Sequence, residues 1–130
     1  MTADEGSARQ TLSVADLEAW VRRSAELISE HAEELTELDA AIGDADHGTN
    51  MKRGLAAAVD AVGAGGFTAA DALLKKVGTT LVSTVGGAAG PLYGTFFLRT
   101  GGALSGQDGI DARALAAGLE AGIGGIAARG

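Results

Sequence analysis

The sequence predicts an all-α domain, and three observations point there. Apolar residues recur at steps of three, four and seven along residues 13–37. Ser/Thr-x-x-Asp starts stand before helical runs at Ser13 and at Thr68. No two alternating runs are joined by hairpin residues, and no internal repeat is found. The chain has 130 residues, which suits one domain, and is 46% hydrophobic and 21% charged, an ordinary balance for a soluble globular protein.

The elements follow in order. Residues 1–12 are acidic and polar and are expected to form a flexible tail ahead of a helical domain spanning 13–130. The first helix should run over 13–37. Val14, Leu17, Val21, Ile28 and Leu35 make one face, with Trp20, Leu27 and Leu38 beside it, and charged residues fill the other. A second helix should start at His47 or Gly48 and stop near Val62, where "GAGG" breaks it. The Thr68 start predicts a third helix to about Thr84. Val77 to Val85 is β-branched enough to suit a strand, but the capping start favours helix. Pro91 suits the first turn of a fourth helix, because its missing N–H has no intrahelical partner there. "GGALSGQDG" reads as a loop, and Asp108 or Asp111 begins a fifth helix.

Composition narrows the function. There are no cysteines, so disulfides, thiolate metal sites and a cysteine nucleophile are excluded. A net charge of −7 argues against a nucleic-acid partner. Residues 77–98 carry no charge, but Gly86, Gly87, Gly90 and Pro91 interrupt them, so no membrane span is expected. The N-terminus is no signal peptide, and a cytoplasmic protein is the expectation.

The chemistry gathers in "IGDADHGTNMKRG". Asp44 and Asp46 are two apart and Asp39 lies just upstream. Like charges at about 5 Å repel by about 3 kcal/mol per pair at an effective dielectric of about 20. A hard cation held by carboxylate oxygens offsets that, and Mg²⁺ typically takes about one or two carboxylates plus phosphates. The plainer reading is a turn in which an aspartate caps the second helix. His47, Asn50 and Gly54 share one face of that helix. Its N-terminus would attract phosphate, with His47 and Asn50 adding donors. Met51 reads as core, Lys52 and Arg53 as solvated charges. "VGGAAGP" is a second glycine-rich entry to a helix and lacks the Gly-Lys-Ser/Thr ending of a Walker loop. Taken together, two such entries beside a carboxylate cluster describe a site for a metal-bridged polyphosphate.

The pair "LDAAIGDADHGTNMKRG" and "TLVSTVGGAAGPLYGTFF" resembles the L subunits of dihydroxyacetone kinases, and the likeness covers nearly the whole chain from about Ser13. The resemblance implies an antiparallel helical barrel with a nucleotide at one end. This chain would supply about five helices of a larger eight-helix barrel, because the family continues past Gly130. It implies that Asp39, Asp44 and Asp46 hold two Mg²⁺ ions. It also implies that His47, Gly48, Thr49 and Asn50, with Gly87, Ala88, Ala89 and Gly90, meet the phosphates of ADP or ATP. Gly130 corresponds to a glycine near the adenine pocket. In the phosphotransferase-dependent systems, an M subunit rephosphorylates ADP in place. The L subunit then passes the phosphoryl group to dihydroxyacetone held covalently by a K subunit. No residue here is an obvious general base. Where the family usually has Gly-Gly-Ala-Ser-Gly, this chain has Ala89 in place of serine, which removes one hydroxyl contact. The alternatives are a related domain serving another acceptor, as in fatty-acid kinases, and a non-catalytic nucleotide sensor that binds a transcriptional regulator or an inactive fragment.

Overall fold

The computed structural model describes residues 11–40, 47–85, 89–107 and 109–129. Among them are six helices: α1 Val14–Glu30, α2 Ala32–Ala40, α3 His47–Gly65, α4 Ala70–Thr84, α5 Ala89–Ala103 and α6 Ala112–Arg129. The all-α expectation holds. One isolated antiparallel bridge, between Leu12 and Ile110, is the sole strand-like pairing among the described residues.

α1 begins where the sequence predicts. The Ser13 side chain accepts from the Asp16 N–H at 3.2 Å, and the Asp16 carboxylate accepts from the Ser13 N–H at 2.8 Å. The same pattern at Thr68 is not used. The N-cap of α4 is Ala69, with no side-chain bond, and the Asp71 carboxylate instead accepts from Ser105 Oγ at 3.2 Å.

The predicted single helix over 13–37 is two helices. His31 stands between them at ψ 13°, and its Nδ1 lies 3.0 Å from Glu34 Oε1. The break lets α2 turn onto the start of α3. There, Gly48 packs so closely on the Ala32 carbonyl and Thr36 that a Cβ would collide with both.

α4 is the central helix. Leu73, Leu74, Val77 and Leu81 have no exposure, and each such side chain contributes about 1.5–3 kcal/mol on burial. The β-branched stretch is helical. The hydroxyls of Thr80 and Thr84 donate to carbonyls four residues back, at 2.7 and 2.6 Å, so they do not compete with the helix. α1 adds Leu17 and Val21 to the core. α3 adds Met51, Leu55, Ala58 and Val62, a spacing of four, three and four that makes one face.

α5 begins two residues before Pro91, which still falls in the first turn. It also extends beyond the sequence-predicted loop start. Gly101 stays helical because the helix packs there against the Asp71 carbonyl and Leu74 Cβ, both 3.2 Å from where a Cβ would stand. Gly106, at φ 82°, makes the turn that follows. α6 is capped by Asp111, whose Oδ1 accepts from the Ala114 N–H at 2.8 Å.

From α3 to α6 consecutive helices run antiparallel: Gly54 meets Val85, Gly101 meets Asp71 and Gly125 meets Thr95. α5 lies between α4 and α6, and α3 lies between α4 and the α1–α2 pair. An apolar groove of about 300 Å³ separates α1 from α6, lined by Leu12, Leu17, Trp20, Leu115 and Leu119. Trp20 sits at its wall with its ring centroid 5.5 Å from that of Phe97. No helix among the described residues is long and apolar enough to cross a membrane.

Candidate functional site

The up-and-down order brings one set of helix ends together. α4 finishes at the end of the bundle where α3 and α5 start, the start of α3 rests on Ala32 and Thr36 of α2, and α6 returns toward this end. Of the described residues singled out by the sequence, His47, Gly48, Thr49 and Asn50 open α3, and Ala89 and Gly90 open α5.

Three glycines set the distances. Gly48, in the first turn of α3, admits the Ala32 carbonyl of α2. Gly54, two turns into α3, admits Val85 at the end of α4, with Leu81 Cδ2 3.2 Å from a would-be Cβ. Gly90, in the first turn of α5, packs on the Val85 carbonyl, with the Leu81 carbonyl 3.2 Å away on the same basis. Gly48 and Gly90 thus meet backbone carbonyls, and Gly54 meets the side chains of Val85 and Leu81, each closer than a Cβ would allow.

His47 opens α3 and is half-buried, and Gly48 is buried. Thr49 is exposed and lines a groove of about 440 Å³ with Ala32, Glu33, Thr36, Glu37 and Lys52, which turns it toward α2. Asn50 is half-buried and faces the other way: its Oδ1 accepts from Arg53 Nη2 at 2.9 Å, and the same Nη2 donates to the Thr84 carbonyl of α4 at 3.1 Å. Met51 is core at 6% exposure, and Lys52 is exposed, as the sequence suggested. Arg53 is exposed too, but it is a bridge between α3 and α4 and not a merely solvated charge. The helical spacing from Asn50 to Arg53 was visible in the sequence; the partner on α4 was not.

Ala89 and Gly90 form the first turn of α5, beside the end of α4. Asp39 is the penultimate residue of α2. Asp44, Asp46, Gly87, Ala88 and Gly130 lie outside the described residues. Among the described residues no group of three or more His, Asp or Glu is arranged to hold a metal.

By fold and by the position of these residues, the chain is a helical-bundle domain whose candidate site is the end shared by the starts of α3 and α5. It belongs to the DAK2 domain family, which matches residues 41–130. It is 39% identical over 120 residues to the ADP-binding subunit DhaL of the PEP-dependent dihydroxyacetone kinase of Escherichia coli K12. That match covers 92% of this chain and 57% of that one. It is 43% identical over 116 residues to the corresponding subunit of kinase 1 of Listeria innocua, covering 85% and 56%. Against the ADP-binding subunit DhaL of the PTS-dependent kinase of Lactococcus lactis it is 47% identical over 79 residues, covering 61% and 41%. The chain therefore spans about half the length of the curated relatives it matches.

Proposed function

We propose that this chain is the nucleotide-binding part of a phosphoryl-transfer subunit of a PEP-dependent dihydroxyacetone kinase. The observation that carries the reading is the tight gathering of the α3 and α5 starts at one end, in a chain similar to subunits named as ADP-binding. Helix N-termini present unbonded N–H groups and a positive dipole end, which suit phosphate oxygens.

In this reading Asp39, Asp44 and Asp46 hold two Mg²⁺ ions. What supports it is the donor set. Three carboxylates fall within residues 39–46, on and after the end of α2 and just before the start of α3, and hard oxygen ligands suit that ion. Bound there, Mg²⁺ would neutralise charge on the transferring phosphoryl group. The chain's own residues do the rest. His47 and Asn50 offer side-chain donors. The backbone of residues 47–50 and of Gly87, Ala88, Ala89 and Gly90 orients the phosphates. Gly130 stands near the adenine. No side chain acts as general base, so activation of the acceptor hydroxyl falls to the K subunit that holds dihydroxyacetone. The bound nucleotide is recharged by an M subunit.

Titration calorimetry of the full-length protein tests this. ADP should bind in the presence of Mg²⁺ and far more weakly in its absence. Adding the K subunit and a phosphorylated M subunit should yield dihydroxyacetone phosphate. An absence of ADP binding at millimolar Mg²⁺ would refute the reading.

A further inference from the structure

We propose that Arg53 is a positioning residue: it fixes which end of the Asn50 amide meets the nucleotide and ties that amide to the end of α4. The inference rests on the reading above, in which Asn50 contacts phosphate.

Two hydrogen bonds carry it. Arg53 Nη2 donates to Asn50 Oδ1 at 2.9 Å and to the Thr84 carbonyl at 3.1 Å. A guanidinium has donors and no acceptor, so only the oxygen of the Asn50 amide can face it. The NH₂ end, with two donors, is then the end left for a ligand. A phosphate oxygen only accepts, so this is the orientation that binds it; the flipped amide would set oxygen against oxygen.

The second bond explains why an arginine serves here. Thr84 is the last residue of α4, and its carbonyl has no partner within the helix. A cation at a helix C-terminus is favourable, and the two N–H bonds of Nη2, fixed in the guanidinium plane, set the directions of both acceptors. The neighbouring Gly54 brings the two helices close enough for that reach, because α3 packs there directly on Leu81 and Val85. The segment after Thr84 leads through Val85 to the glycine-rich entry of α5. Arg53 thus joins the two stretches assigned to phosphate, so that a shift of one moves the other.

The test is a double-mutant cycle in the full-length protein, read as Mg-ADP affinity by calorimetry together with the melting temperature. Arg53→Met should weaken binding about tenfold, as expected for loss of a charge-assisted hydrogen bond, while moving the melting temperature by no more than about 2 °C. Asn50→Ala should weaken binding at least as much. In the Asn50→Ala background, Arg53→Met should add less than about a twofold loss, because its route through the amide is gone. Arg53→Lys, which keeps the charge but loses the planar donor geometry, should fall between parent and Arg53→Met. An equal loss from Arg53→Met in both backgrounds overturns the proposal, since Arg53 would then act independently of Asn50. Parent-like affinity of Arg53→Met, with Asn50→Ala still damaged, also overturns it and leaves the site reading standing. Parent-like affinity of Asn50→Ala removes the site reading and the proposal together.

Discussion

At the end of the bundle where α1 and α6 begin, side chains close the helices. Ser13 and Asp16 bond each other's backbone, Asp111 caps α6, Ser105 bonds Asp71, and Leu12 pairs with Ile110. At the other end, where α3 and α5 begin, glycines take that place. Gly48 and Gly90 bring backbone against backbone, Gly54 admits the Val85 side chain, and the first turn of α5 is Ala89, Gly90 and Pro91, none of which has a side-chain acceptor. The first end is complete in itself. The second end is close-packed through glycines, and among its described residues the first turn of α5 carries no side chain that could cap its own N–H groups. If the second end binds nucleotide as proposed, substitutions at the two ends should separate effects on stability alone from effects on binding.

The largest separation should come from Asp46→Asn. Loss of a carboxylate ligand is expected to cost at least about 100-fold in Mg-ADP affinity, with the far-ultraviolet circular dichroism spectrum unchanged. Retained affinity would remove the metal assignment. Gly48→Ala should act on the fold. Alanine is a better helix former by about 1 kcal/mol, yet its Cβ meets the Ala32 carbonyl, so urea unfolding should show a net loss of about 2 kcal/mol. A stabilised Gly48→Ala would mean that α2 does not rest on α3. Ser13→Ala, at the far end, should cost about 1 kcal/mol of stability and leave Mg-ADP affinity alone. An affinity change in that variant would couple the ends that the structure keeps apart. The smallest effect should be Ala89→Ser. A restored hydroxyl at the α5 start should tighten Mg-ADP binding about threefold without altering the urea midpoint. Unchanged binding would leave the phosphates to residues 47–50.

The sequence made the closed end legible and only half of the other. The cap at Ser13 is a local pattern with a local cause, and it formed. The identical pattern at Thr68 did not, because the helix starts one residue beyond it and Asp71 finds Ser105, 34 positions away. The break at His31 has no glycine or proline to announce it. It answers to Gly48, which lies beyond the next connection. Gly101 reads as a helix breaker but is a contact point against α4. The aspartates of the motif were visible from charge alone. Arg53 was read as solvated because its second partner, Thr84, is 31 residues away, and no spacing rule reaches that far.

The three glycine contacts also bear on how this fold diverges. Gly48, Gly54 and Gly90 are demanded by close packing between helices whether or not a nucleotide is ever bound. A descendant that had lost the ligand would still be selected for them, while Asp44 and Asp46, if they hold Mg²⁺ as proposed, would be free to drift. Loss of function in this lineage would therefore be written in the carboxylates, and the glycines would go on marking the fold long after the chemistry had gone.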